Sequence, residues 1–443
     1  MRLLLTILPC FICFSLVGQG CPTTDIPNYY FLYEIEGFVN EFPDCSRLPS
    51  TLIMHSGDLT VVPGLSQIDS ISGSLICDEC DINSYLGLEN LKYIGQNFTL
   101  DEPHSAPHFP NLQGLNNLEH IGGYFKIEEG SGLISTSGLD NLQHVGGIII
   151  RECTSLLEIV GFEDITEING DINLSENYNL ATLEGFSSFS FVGGFVNIDE
   201  MDGLSSLEGL DNIETIGGSL VIQSNPILEN IDALSSVISI GENIILWNND
   251  SLNSIVGLSS VDEINGEVSV YHCDNLASLS GIENIDEQYI TDLTLVNNEN
   301  LNSCSLGNVC SYLTNNIGPA TIELNSEGCN TENEITDDCA PVGVNDTTSE
   351  ATIEIYPNPS AGELTIHWLG SDSSGDAILM DFWGRRLMCF NNISNGSVLH
   401  FNVAPGFYTL AVKTAELYSS QTVSSTHLTL PTILRVHSTH HAA

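Results

Sequence analysis

Pairs of glycine and a large apolar residue recur along the chain: Gly64-Leu65, Gly87-Leu88, Gly114-Leu115, Gly138-Leu139, Gly161-Phe162, Gly185-Phe186, Gly209-Leu210, Gly257-Leu258 and Gly281-Ile282, with Ala233-Leu234 standing in once. From Gly161 onward they fall 24 residues apart. A fixed period of this length marks one structural unit stacked on copies of itself. In the unit from Gly209 to Asp232 the interior candidates are Leu210, Ile213, Ile216, Leu220, Ile222, Leu228 and Ile231. Leu220 and Ile222 alternate with Val221 and Gln223, the period of two of a strand. No unit carries the apolar stripe that a helical repeat needs. Gly217-Gly218, repeated as Gly122-Gly123, Gly146-Gly147 and Gly193-Gly194, predicts a tight corner where positive φ is cheap.

One coil cannot bury its own apolar face, so coils must stack with parallel strands about 4.8 Å apart. The expected fold class is all-β: a right-handed parallel β-helix, or leucine-rich-repeat-like solenoid, of about ten coils over 64–303, followed by a small C-terminal β-sandwich. After each strand one position carries Asn177, Asn225, Asn249 and, with one residue inserted, Asn298, while Cys80, Cys153 and Cys273 take the same place. A stacked Asn can satisfy backbone groups at a corner. The Cys members read as small buried groups, too many coils apart to reach one another.

The run L-x-I-x-x-N-x-x-L preceded by I-G-G, as in 216–228, resembles the receptor L-domain branch of leucine-rich-repeat proteins. The resemblance covers roughly Gly64 to Ser303. It implies a right-handed β-helix that binds partners through a variable outer face, and does not name the ligand.

The ends read differently. Met1-Arg2, the apolar run Leu3 to Val17 and Gly18-Gln19-Gly20 predict a signal peptide over 1–20, too short to span a membrane. Cys21 after the cut raises a lipoprotein reading, against which Gly18 stands where an aliphatic residue is wanted. Cys10 and Cys13 fall in the signal, and the placement of the other cysteines fits an oxidising compartment. Cys21 and Cys45 could staple an N-terminal cap over 21–63. Cys304, Cys310, Cys329 and Cys339 suggest a braced C-terminal cap over 304–339; three pairings are open, with Cys304 to Cys329 and Cys310 to Cys339 favoured over the others and over a zinc site.

Residues 340–351 are polar and aperiodic, a linker. From Ile353 the chain reads strand, Pro-rich turn, strand, with further strands expected at 377–381, 386–389 and 407–413. The pieces IYPNPSAGELTI, MDFWGRRL and PGFYTLAV resemble the C-terminal sorting domain of type IX secretion substrates over Ile353 to Lys413. That resemblance implies export to the cell surface or medium by the type IX machinery, with a sorting domain over 352–420. The stretch 421–443, ending in His437, His440 and His441, departs from the short basic finish of that family and reads as an atypical tail rather than a metal site.

A net charge of −49, from 58 acids against 9 Lys plus Arg, excludes nucleic acid and an anionic bilayer as partners. Divalent cations, calcium among them, are natural counter-ions without a defined site, and no other cofactor is implied. Asp199-Glu200-Met201-Asp202-Gly203 lacks the full spacing of a calcium loop and reads as a solvated acidic corner. Cys77-Asp78-Glu79-Cys80 lies on an expected strand, without the helix N-terminus that activates a redox thiol. The G-x-S-x-G, P-loop, H-E-x-x-H and dinucleotide fingerprints are absent from the repeat region.

The expected function is therefore that of a non-enzymatic secreted or surface binding protein whose partner is a protein or a glycan; the oligomeric state is open. A polysaccharide-degrading enzyme on a β-helix is the rival, and a structural surface coat a third reading. The outward strand positions define the candidate site. Coil by coil one such position reads Asp78, Asp101, Glu128, Arg151, Ser175, Asp199, Gln223, Trp247, Tyr271 and Val296, turning from acidic to aromatic. Trp247, Tyr271 and Ile245 are the candidate binding residues, set against the reading that the linker or the C-terminal cap folds over them.

Overall fold

The computed structural model describes residues 21, 40–56, 62, 65–80, 84–101 and 110–339, and in the C-terminal part 353–356, 363–368, 375–380, 386–394, 396–401, 406–414 and 418–425. The signal segment 1–20, the linker and the His-bearing end of the tail lie outside the described residues. The chain divides into two units, Met1–Cys339 and Ala340–Ala443.

The first unit is a parallel β-solenoid of about 11 turns. Its main sheet runs through the strands Leu52–Ser56, Leu75–Cys80, Phe98–Asp101, His120–Glu128, His144–Arg151, Ile172–Ser175, Val196–Asp199, Leu220–Gln223, Ile244–Trp247, Gly266–Tyr271, Ile290–Val296 and Ala320–Glu323, every neighbouring pair parallel. The alternation in sequence becomes alternation in space. In Leu220–Gln223 the burial runs buried, half-buried, buried, half-buried, and Leu220 and Ile222 stack in register on Ile244 and Leu246. A line of short strands forms a second face, including Glu167–Ile168, Phe191–Val192, Thr215–Ile216 and Ser239–Ile240.

The stack is longer than the periodicity predicts. Leu52–Ser56 and Ala320–Glu323 each add a strand to the main sheet from segments expected to be caps. At the C-terminal end the Gly307–Thr314 helix is inserted between two strands and stretches the repeat, which hides the last coil from a search for a fixed period.

The Gly-Gly corners work differently from the expectation. None of Gly122, Gly123, Gly146, Gly147, Gly193, Gly194, Gly217 or Gly218 has positive φ. The coils instead approach closely there. A Cβ on Gly217 would stand 2.3 Å from the carbonyl oxygen of Gly193, and one on Gly241 2.0 Å from that of Gly217. Left-handed backbone falls one residue after each main strand from His120–Glu128 onward and is carried by side-chain-bearing residues: Glu129, Glu152, Glu176, Glu200, Ser224, Asn248, His272, Asn297 and Leu324, with φ from 48 to 58°.

The position two residues after the strand is a ladder. Asn225 Oδ1 accepts the Met201 N–H at 3.1 Å, and its Nδ2 donates to Ile198 O in the preceding coil at 3.1 Å. Asn177, Asn249 and Asn298 repeat both bonds, and Asn325, in the added last coil, continues them. The corner amides of Cys153, Met201, Asn225, Cys273 and Asn298 and the strand carbonyls of Ile150, Ile198, Ile222, Val270 and Leu295 are thereby satisfied, as buried backbone requires. Cys153 and Cys273 are buried in the same column, and burial pushes the Cys273 thiol up to about 12. The side chain of Cys80 lies outside those described.

The interior is a column of Leu, Ile and Val with an aromatic spine toward its N-terminal half. Phe98 and Phe125 stack at 5.2 Å, and Phe125, Phe162 and Phe186 continue edge-to-face at 5.3 and 5.7 Å. Such pairs add about 0.5–1.5 kcal/mol beyond their buried area. Both ends are stapled. Cys21–Cys45 closes the first turn, and Cys304–Cys329 and Cys310–Cys339 brace the Gly307–Thr314 and Glu332–Cys339 helices over the last. Asn308 donates to Ile282 O and Ile285 O, satisfying carbonyls that no further coil covers.

The second unit holds two antiparallel sheets, one of Ile353–Tyr356, Glu363–Trp368 and Val398–His400, the other of Arg386–Ile393, Gly375–Met380, Gly406–Thr414 and Tyr418–Ser425. Leu364, Ile366 and Leu399 from the first and Ala377, Leu379, Ile393 and Leu410 from the second share one core, the packing of a sandwich. The final strand, Tyr418–Ser425, crosses the position at which the tail was expected to begin.

Candidate functional site

The outward column forms in the order read from the sequence. Cα partners run from His55 through Asp78, Asp101, Glu128, Arg151, Ser175, Asp199, Gln223, Trp247, Tyr271 and Val296 to Glu323. A strict alternation of strand residues places the side chains from Asp78 to Glu323 on one face.

The column divides in character. At its N-terminal end Asp101 lies between Asp78 and Glu128, and burial, then the neighbouring Glu128 and Asp78 charges, raise its carboxyl above the ordinary value. Lys126 pairs with Glu128 at 2.6 Å and Arg151 with Glu128 at 3.6 Å, while Arg151 Nε donates to Ser175 Oγ at 3.0 Å. Asp199 is also raised, by burial first. Beside this stretch the Tyr178 hydroxyl lies 3.3 Å from both Glu176 and Glu200; burial and those two carboxylates push it up to about 12.

At the C-terminal end the face is apolar. Trp247 is 47% exposed, and its register neighbour Tyr271 is half-buried. Ile245, one outward step along the same strand, is half-buried and pairs with Val221 and Ser269. Ser269, between Ile245 and Thr294 in register, is fully buried, and its hydroxyl has no hydrogen-bond partner. The three predicted residues therefore come together on one dense patch, where Trp247 stays open.

Other motifs do not assemble a site. Asp199 lies on the outer face and Met201 is buried in the Asn ladder, so the 199–203 acids do not converge. Among the described residues no group of three or more His, Cys, Asp or Glu is arranged to hold a metal ion. Cys77 is buried and disulfide-bonded. No helix among the described residues is long and apolar enough to cross a membrane.

A second outer column was missed. Its first members, Arg47, Ser70, Tyr93, His120 and His144, are Cα partners along the corner between the two faces. Tyr93 and His120 stack at 4.6 Å with ring planes 2° apart, and His120 and His144 at 4.4 Å. Burial, and then His144, lower the His120 imidazole from its ordinary value. The signal was present as an aromatic residue at equivalent positions of three consecutive coils, but the coil lengths are unequal there and conceal the alignment.

No family model matches the chain, and no curated protein matches it in sequence. The fold defines the protein as a disulfide-capped parallel β-solenoid joined to a small β-sandwich.

Proposed function

We propose that this is an exported, non-enzymatic binding protein that takes a protein or glycan partner on the outer face of its main sheet, centred on Trp247, Tyr271 and Ile245. The observation that carries the reading is Trp247, 47% exposed on a flat in-register strip beside Tyr271. A large aromatic left open on a rigid scaffold is a typical anchor for a partner. The parallel coils supply rigidity, and the outward side chains vary from coil to coil as a recognition surface requires.

Export rests on the signal-like segment 1–20 and on the resemblance of Ile353 to Lys413 to type IX sorting domains. The three cap disulfides accord with an oxidising destination. In this reading the C-terminal sandwich addresses the chain to the type IX machinery, and the solenoid meets the ligand at the cell surface or in the medium.

The rival reading, polysaccharide hydrolysis, draws on Asp101, whose raised carboxyl sits next to Glu128 in register. A raised acid beside a carboxylate is the pair a glycosidase uses. Glu128 is, however, engaged by both Lys126 and Arg151.

The test is a glycan and surface-protein array probed with the exported protein, alongside a polysaccharide-degradation assay. The binding reading predicts retention of one ligand class without turnover. Release of sugar ends that is lost in Asp101→Asn would replace it with the enzymatic one.

A further inference from the structure

A groove of about 720 Å³ opens on the first turns of the solenoid, lined by Arg47, Ser66, Gln67, Asp69, Ser70, Asn90, Lys92 and Tyr93. It lies at the start of the second outer column, and three features of its lining point to one kind of occupant.

The first is an interrupted ring stack. Tyr93 has His120 on one face at 4.6 Å, with His144 beyond. On its other side the register neighbour is Ser70, which has no ring to offer, and the next is Arg47. Coils about 4.8 Å apart thus leave a slot one ring thick over Ser70, walled by the Tyr93 ring and by the Arg47 side chain. Tyr93 is 42% exposed, so the slot is open to solvent.

The second is charge. The chain has only 9 Lys plus Arg in 443 residues, yet two of them, Arg47 and Lys92, line this one groove. Arg47 meets Asp69 only at 3.9 Å, and Lys92 donates to Glu119 at 2.7 Å, with all four side chains well exposed. Exposed pairs of this kind are weak and yield readily to a better-placed carboxylate.

The third is the polar lining. Ser66, Gln67 and Asn90 give hydroxyl and amide groups around the slot, and Gln67 Nε2 is buried without a hydrogen-bond partner.

We propose that this groove binds an acidic saccharide, with a hexuronate ring seated over Ser70. One face of the pyranose stacks on Tyr93, its carboxylate meets the Arg47 guanidinium, and its hydroxyls take Gln67, Asn90 and Lys92. A flat aromatic acid would fill the slot but leave the amide groups unmatched, and a bare anion would not use Tyr93. The groove is separate from the Trp247 patch and stands whether or not that patch binds a partner.

The test is calorimetric titration of the full chain with trigalacturonate, its methyl ester, and inorganic phosphate as a bare anion. Trigalacturonate binds, and the ester and phosphate bind about tenfold more weakly or less, the loss expected for a charge-assisted bond. Arg47→Gln and Tyr93→Ser each weaken trigalacturonate binding about tenfold with the thermal transition unchanged, since both side chains are exposed. Ser70→Trp fills the slot and abolishes binding while the protein stays folded. The double variant Trp247→Ser/Tyr271→Ser binds trigalacturonate normally, which separates this site from the proposed partner face. No binding of trigalacturonate, equal binding of the ester or phosphate, or full binding by folded Ser70→Trp overturns the proposal.

Discussion

Asn249 Oδ1 lies 3.1 Å from both the backbone nitrogen and the Nδ2 of Asn225, so each ladder amide holds the corner of the coil before it. The ladder is a hydrogen-bond device, because every Asn accepts from a backbone amide and donates to a strand carbonyl of the preceding coil.

Asn225→Ala removes the acceptor for Met201 N–H and the donor to Ile198 O, both buried. The expected cost is about 2–4 kcal/mol, since two buried backbone groups lose their partners together. Asn225→Asp restores the acceptor alone and is no better than Ala, because a carboxylate cannot donate to Ile198 O. Urea denaturation of the three proteins checks this, and an Asp variant as stable as the parent would refute the reciprocal role.

Gly241→Ala places a methyl 2.0 Å from the carbonyl oxygen of Gly217, where only backbone can give way. A loss of about 2–3 kcal/mol follows from forcing two coils apart. Gly307→Ala is the control: nothing lies within 4 Å of its added Cβ. Thermal melting separates the two, and equal behaviour would mean that the stack does not need the close approach.

These two sites show what sequence could and could not tell. The Asn column and the outward strip were legible residue by residue, because a period of two within strands and 24 between them fixes which side chains share a face. The Gly-Gly pairs were located but misread: recurrence marks a place where no side chain fits, and does not say whether φ or a neighbouring carbonyl forbids it. The left-handed corner escaped notice because Glu, Ser, Asn and His occupy it in turn. The outermost coils were hidden by unequal repeat lengths, and so was the Arg47, Ser70, Tyr93 column, which exists only once coils of different length are superposed.

Asp101 gives a pH-dependent prediction. Its carboxyl is raised in the fold by burial first and then by Glu128 and Asp78, so its charged form is disfavoured there relative to the unfolded chain. A raised acid costs stability at neutral pH, and that cost is relieved as pH falls through the folded value toward 3.8. Asp101→Asn should therefore stabilise the protein at pH 7, by less than about 1 kcal/mol given its partial exposure, and give no gain near pH 3.5. Melting temperatures of both proteins across that range check the sign. A gain that grows on acidification would contradict it.

The central claim is that the patch around Trp247 is a partner-binding face, and its most direct measurement is equilibrium binding of the partner retained in the array by the parent and by Trp247→Ser/Tyr271→Ser. Both residues lie on the outer face of a strand pair whose inward residues Ile244, Leu246, Val268 and Val270 form the core, so the fold does not depend on them. The account predicts loss of binding by about a hundredfold or more, as for removal of two aromatic anchors, with the thermal transition nearly unchanged. Normal binding by the folded double variant, or its unfolding, would contradict the assignment.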